Sequence, residues 1–123
     1  MGVSLLVVED EMLLAMDLRM CVEGMGYDVA AIAFSGHDAI LQASALKPDV
    51  VLMDIKLKGQ MDGITAAEQI HKETGALIIF VTGNTDEHTM NRAMQTNPAG
   101  YIQKPYFDEI LKDVIEKAVA DGN

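Results

Sequence analysis

Four short apolar stretches of this chain each end on side chains able to do chemistry. Glu9-Asp10-Glu11 follows the run Val3 to Val8, and Asp54 follows Val50 to Met53. Thr82-Gly83 follows Leu77 to Val81, and Lys104-Pro105 lies just beyond Gly100 to Ile102. Carboxylates held about 4 Å apart repel by roughly 4 kcal/mol per pair at an effective dielectric near 20. A hard divalent cation offsets that repulsion, and Mg²⁺ takes one or two carboxylates while leaving its other places to water and phosphate oxygens. A lysine ammonium and a threonine hydroxyl alongside would bind phosphoryl oxygens. If Glu9, Asp10, Asp54, Thr82 and Lys104 meet, the chemistry they suit is phosphoryl transfer. Taken singly each has an ordinary explanation: an acid cluster commonly opens a helix, a hydroxyl often ends a strand, and a lone lysine is usually solvated.

Only a particular arrangement of elements brings these residues together. Val3 to Val8 is apolar apart from Ser4 and rich in valine, as a strand buried on both faces requires. Leu14, Leu18, Cys21, Val22 and Met25 then recur at spacings of three and four, which predicts one inner helix face, closed by Gly24 and Gly26. Val29 to Phe34 reads as a second strand, followed by a Ser35 and Asp38 N-cap pair ahead of Ala39, Ala43 and Leu46, with Pro48 as the stop. Val50 to Met53 is the third strand, and Asp62-Gly63 leads into a helix carrying Ile64, Ala67 and Ile70. After the fourth strand, Leu77 to Val81, a helix opened by Thr85, Asp86 and Glu87 has Met90, Ala93 and Met94 as its predicted inner face. Gly100 to Ile102 is a short fifth strand, and from Phe107 a last helix turns Ile110, Leu111, Val114, Ile115 and Ala118 inward.

Five strands alternating with five helices predict an α/β fold, a doubly wound parallel sheet covered on both faces by right-handed crossovers. Ligands of such sheets bind beyond the carboxyl ends of the strands, where the strand order reverses. In the flavodoxin-like order 2-1-3-4-5, strands one and three flank that point, and Glu9, Asp10 and Asp54 converge there.

Composition narrows the classes. With 123 residues, 50% hydrophobic and 23% charged, the chain reads as one globular domain, residues 1–123, with no linker, repeat or internal boundary. A net charge of −10 argues against binding nucleic acid or anionic lipid directly and favours cations and basic partners. The single cysteine, Cys21, excludes an intrachain disulfide and a cysteine-cluster metal site and fits a reducing compartment. No apolar run approaches the roughly 18 residues of a membrane span, and no secretory signal pattern opens the chain, so the expected location is the cytoplasm. The nine methionines read mostly as core filler, with Met90 and Met94 also candidates for a partner surface. His37, His71 and His88 have no ligand-spaced neighbours and are expected at the surface, and Cys21 as an inert core thiol.

In these motifs the chain resembles the receiver domain of two-component response regulators over essentially its whole length. The resemblance rests on Val7-Val8-Glu9-Asp10-Glu11, Leu52-Met53-Asp54 with Met61-Asp62-Gly63, Val81-Thr82-Gly83, and Gly100-Tyr101-Ile102-Gln103-Lys104-Pro105. It implies the 2-1-3-4-5 strand order and a phosphoacceptor role for Asp54, charged by a phosphohistidine on a histidine kinase or histidine phosphotransfer protein. It implies Mg²⁺, with Mn²⁺ as a substitute, held by Asp10, Asp54 and the backbone carbonyl of Lys56, with Glu9 acting through water. Lys104 and Thr82 would take phosphoryl oxygens together with the backbone N–H groups of Ile55 and Gly83, Gly83 leaving room for the phosphoryl group. Thr82 and Tyr101 would form the switch that repacks the face of the fourth helix, fifth strand and fifth helix, which signals to an unknown protein target or to a second copy of the chain. The Lys104-Pro105 bond is expected to be cis.

Two departures from the family pattern stand out. The loop after Asp54 reaches Gly63 in nine residues where eight is usual, with Lys58 in place of a proline, which predicts a longer and more mobile loop. Lys56 and Asn84 occupy positions that bear on how long an aspartyl phosphate survives. No output domain is visible, so the expectation is a stand-alone receiver acting by protein contact, with a receiver cut from a longer regulator as the other possibility. Two further classes remain open. A Mg²⁺-dependent phosphatase with an Asp nucleophile would commonly carry a second Asp where Lys56 stands. The other class is a flavodoxin-like flavin-binding or purely protein-binding module, of which a flavin site would want a Ser, Thr and Gly-rich loop where Glu9-Asp10-Glu11 stands.

Overall fold

A strand sandwiched between helices needs apolar side chains at successive positions, and Leu5-Leu6-Val7-Val8 and Val50-Val51-Leu52-Met53 are buried along their full length. The computed structural model describes residues 2–122. Its strands are β1 (Ser4–Val8), β2 (Asp28–Ala33), β3 (Val50–Met53), β4 (Leu77–Thr82) and β5 (Gly100–Gln103). Its helices are α1 (Met12–Gly24), α2 (Gly36–Leu46), α3 (Gly63–Thr74), α4 (Glu87–Gln95) and α5 (Asp108–Gly122). The strands form one parallel sheet in the order β2-β1-β3-β4-β5. This is the expected flavodoxin-like doubly wound arrangement.

The sheet separates two apolar layers. One side packs Leu6, Val8, Val51, Met53 and Phe80 against α2, α3 and Ala93 of α4. The other packs Leu5, Val7, Leu52, Ile79 and Val81 against α1 and α5. Successive β1 residues therefore serve opposite layers, as the pleat dictates.

Register aligns the chemistry-bearing ends. Val8 pairs with Met53, and Met53 with Phe80, so β1 and β3 end level with each other. The ladder continues one step beyond the strands: Glu9 N–H donates to the Ala33 carbonyl at 3.1 Å, Asp54 N–H to Val8 at 3.1 Å and Lys104 N–H to Thr82 at 2.8 Å. Glu9, Asp54 and Lys104 are thus held by sheet hydrogen bonds and not by free loop. The Lys104-Pro105 peptide is cis.

Helix starts follow their capping residues. Ser35, Asp62 and Asp86 each accept the backbone N–H three positions on, from Asp38, Thr65 and Thr89. Glu11 precedes α1 without a side-chain cap.

The inner helix faces meet expectation at Leu18, Val22, Ile64, Ile70, Leu111 and Ile115, which are buried, and differ at five other large residues. Leu14, Leu46, Met90, Met94 and Ile110 are exposed, and Cys21 is half-buried. The buried positions of α1 are Ala15, Leu18 and Val22, and the sole buried position of α4 is Ala93. Small side chains let a helix axis approach the sheet, and Ala15, Ala39, Ala43, Ala67, Ala93 and Ala118 pack in the two layers beside it together with those larger buried residues. Methionine is not mostly core filler either: Met53 is buried, but Met12, Met16, Met20, Met90 and Met94 are exposed. Phe34 falls just beyond β2 and is exposed. His37, His71 and His88 are exposed, as expected.

The turn into α3 is the tightest contact near the strand ends. Gly63 N–H donates to the Ile55 carbonyl at 2.8 Å. A Cβ on Gly63 would lie 1.9 Å from the Asp54 carbonyl oxygen and 2.9 Å from the Ile55 Cα, both backbone atoms. Gly63→Ala is therefore expected to destabilise the fold by about 1–3 kcal/mol or more, as overpacking does. Gly24→Ala, at a helix end with nothing within 4 Å of the new carbon, is expected to be neutral or stabilising by up to about 1 kcal/mol. Urea unfolding of the two variants side by side checks this, and equal midpoints would contradict the close approach.

Candidate functional site

The level ends of β1 and β3 set three acids side by side. Carboxylate oxygens of Glu9, Asp10 and Asp54 lie within 4.8 Å of one another. Glu9 is buried, and its Oε2 has no hydrogen-bond partner among the described residues. Asp10 is half-buried and its Oδ2 accepts the Lys58 N–H at 2.7 Å. Asp54 is the most fully engaged of the three. Its Oδ1 accepts the Thr82 hydroxyl and the Lys56 N–H, each at 3.2 Å, and its Oδ2 lies 3.6 Å from Lys104 Nζ. Lys104 Nζ also stands 3.9 Å from Glu9 Oε2, an ion-pair distance too long for a hydrogen bond.

The remaining site residues from the sequence lie on β4, β5 and the loops that follow β3 and β4. Thr82 is fully buried at the end of β4, with its hydroxyl directed at Asp54. The Ile55 side chain is buried, and its carbonyl receives the N–H groups of Leu57 at 3.1 Å and Gly63 at 2.8 Å. A Cβ on Gly83 would meet nothing within 4 Å, so the space beside it is open. Tyr101 is half-buried, its ring tilted 59° to Phe80 at 6.4 Å, and its hydroxyl lies 2.9 Å from Thr85 Oγ1. It makes no hydrogen bond to Thr82.

Backbone groups complete the site, and residue types could not announce them. The Lys56 ammonium donates to the Asn84 carbonyl, tying the loop after β3 to the one after β4. Lys58 supplies an N–H to Asp10, a donor that the usual proline would lack. Thr85, read from sequence only as a helix opener, is the partner of Tyr101.

Electrostatics follow from burial and crowding. The Glu9 carboxyl is pushed up to about 8, first by burial and then by the adjacent Asp54, with Lys104 working against both. Burial pushes Asp62 up, but the Thr65 N–H and the Arg92 guanidinium outweigh it and hold the carboxyl below the usual range. Burial and neighbouring Asp108 push the Cys21 thiol up to about 11, which disfavours the thiolate.

A cleft of about 300 Å³ opens beside the acids, between α1 and the loop after β5, lined in part by Leu14, Cys21, Lys104 and Tyr106. A larger one, about 1110 Å³, lies at the opposite ends of the strands near Leu77 and Ala99, far from this chemistry. The donor set fits a hard divalent cation: three convergent carboxylates, one carrying a buried and unpartnered oxygen. No helix among the described residues is long and apolar enough to cross a membrane.

Comparison with known proteins agrees with this geometry. The family model "response regulator receiver domain" matches residues 5–116. The transcriptional regulatory protein PdtaR of Mycobacterium tuberculosis is 35% identical over 115 residues, covering 94% of this chain and 56% of that protein. The phyllosphere-induced regulator PhyR of Methylorubrum extorquens is 32% identical over 120 residues, covering 97% of this chain and 44% of that protein. The chain thus spans about half the length of these relatives. Among solved structures, the signal receiver domain of a modulated diguanylate cyclase from Desulfovibrio desulfuricans G20 superposes with a TM-score of 0.93 at 37% identity, covering 99% of this chain and 97% of that one. A receiver domain protein from Methanospirillum hungatei JF-1, at 24% identity and a TM-score of 0.90, shares the fold, with coverage of 99% and 97%. With the strand order, the convergent acids and the family match over residues 5–116 in agreement, this chain belongs to the response regulator receiver domains of two-component signalling.

Proposed function

We propose that Asp54 accepts a phosphoryl group from a phosphohistidine on a histidine kinase or histidine phosphotransfer protein, and that the modified domain signals by protein contact. The observation that carries this reading is the environment of Asp54: Thr82 and Lys104 on its two oxygens, with Glu9 and Asp10 beside it. An Asp54 oxygen attacks phosphorus as the P–N bond breaks, and the imidazole leaves neutral when its other nitrogen carries a proton. Lys104 and Thr82 neutralise and orient the phosphoryl oxygens, joined by the backbone N–H groups of Ile55 and Gly83, and open space beside Gly83 admits the group. Asp10, Asp54 and the Lys56 carbonyl would hold Mg²⁺ or Mn²⁺, with Glu9 reached through water. The metal, when bound, supplies positive charge that offsets the acids and the incoming phosphate.

The domain is an acceptor that turns over once per phosphoryl group, not a phosphatase. Lys56 offers no carboxyl for the acid/base work a hydrolase of that kind needs. The output lies on α4, β5 and α5: Thr82 at the end of β4 bonds Asp54, Tyr101 of β5 bonds Thr85 in the loop ahead of α4, and α4 exposes Met90 and Met94. A downstream protein, or a second copy of the chain, would bind there.

Two outcomes check this reading. Intact mass after incubation with Mg²⁺ and acetyl phosphate should show one added phosphoryl group, absent without metal and in Asp54→Asn; an adduct persisting in that variant would place the acceptor elsewhere. The second concerns Glu9, whose folded value near 8 lies above its ordinary 4.5. Without metal the folded state binds the proton more tightly than the unfolded one, so Glu9's contribution is full below pH 4.5 and lost as pH rises to about 8. Thermal melts in chelator should show that decline, and Glu9→Gln should flatten it. Calorimetric titration near pH 7 should show proton release on Mg²⁺ binding in the wild type and none attributable to this group in Glu9→Gln.

A further inference from the structure

Arg92 lies on the half-buried side of α4, next to Ala93, and its guanidinium reaches out of the helix to the start of α3. Its Nη1 is 3.0 Å from Asp62 Oδ2. The other Asp62 oxygen, Oδ1, accepts the Thr65 N–H at 2.8 Å as the α3 N-cap. Asp62 is therefore fixed from both sides, by a helix terminus and by a cation from a different helix.

The glycine next to Asp62 gives this contact its reach. Gly63 is pressed against the backbone of the acceptor, with its missing Cβ 1.9 Å from the Asp54 carbonyl oxygen, and its N–H is bound to Ile55. No flexible side chain intervenes between the Asp62 backbone and that of Asp54. A second tie acts at the other end of the same loop, where the Lys56 ammonium binds the Asn84 carbonyl two residues ahead of the α4 N-cap, Asp86. The loop that carries the proposed metal-ligating carbonyl is thus held at both ends by the segment that leads into α4 and by α4 itself.

We infer that Arg92 is a positioning residue for the acceptor loop: through Asp62 and Gly63 it couples the seat of α4 to the Asp54 backbone and to the Lys56 carbonyl. This rests on the proposed role of Asp54, but the path is separate from Thr82 and Tyr101 and shares no side chain with them. Both partners are partly exposed, so the ion pair adds little to global stability. Its effect is on position, because α4 buries only Ala93 and has few other constraints on where it lies. Coupling of this kind is reciprocal. A partner that shifts α4 changes how the loop holds a cation, and a cation or phosphoryl group on the loop biases α4.

The test measures Mg²⁺ affinity by calorimetry, phosphoryl half-life by intact mass after donor removal, and the melting temperature. The variants are Arg92→Ala, Asp62→Asn, the double variant and Arg92→Lys. Asp62→Asn keeps an N-cap acceptor and removes only the charge. Arg92→Ala and Asp62→Asn should each weaken Mg²⁺ binding and change the half-life by roughly 2- to 30-fold, the range seen for residues that modulate coupling. The double variant should be no worse than either single one, and Arg92→Lys should recover most of the loss. Unchanged affinity and half-life in both single variants would overturn the inference, as would additive effects in the double variant or no recovery with Arg92→Lys. A loss of affinity that merely tracks a lowered melting temperature across all four would overturn it too. If the wild type takes no phosphoryl group, the acceptor reading fails, and the Mg²⁺ measurements still decide the role of Arg92.

Discussion

Charge repulsion at the carboxyl ends of β1 and β3 is the constraint to which the rest of the molecule answers. Level register places Glu9, Asp10 and Asp54 within 4.8 Å of one another, an arrangement that costs free energy wherever all three are ionised. Four donors face it: Lys104 toward Asp54 and Glu9, Thr82 and the Lys56 amide toward Asp54, the Lys58 amide toward Asp10. Burial beside Asp54 pushes the Glu9 carboxyl up, which favours its neutral form and lessens the repulsion. The fold thus keeps a concentration of negative charge that it only partly neutralises, the setting whose repulsion a hard divalent cation offsets.

Sequence made this centre legible because parallel strands announce their own ends. The runs Leu5 to Val8, Val50 to Met53 and Leu77 to Val81 are apolar without alternation, so Glu9, Asp54 and Thr82 stood out as the first polar residues after each. The strand order that brings them together came from family resemblance, since alternation alone leaves it open. Helix faces were less legible. Leu18, Val22, Ile64, Ile70, Leu111 and Ile115 are buried as the period predicts, whereas Leu14, Met90 and Ile110 satisfy the same period and are exposed, because hydrophobic period reports direction and says little about how close two elements approach.

The contacts around the loop after β3 were the least legible. The longer loop, expected to be mobile, is tied through the Lys58 amide, the Lys56 ammonium and the Asp62 carboxylate. Two of those three bonds use a backbone group, which every residue type supplies alike. The third joins residues 30 positions apart, and no local pattern marks such a pair. Gly63 was recognisable as a motif glycine, while the reason for it, a backbone oxygen where a side chain would begin, exists only in three dimensions.

The shallow seat of α4 has a consequence for how the domain opens. With Ala93 as its only buried residue, this helix stands near the low end of the range of local stabilities found within one fold, far below strands such as β1 and β3. Its amides should exchange with solvent through small sub-global openings that leave the sheet intact. The expectation is that α4 opens as a unit of its own, while the buried strands that position the carboxylates open with the whole domain.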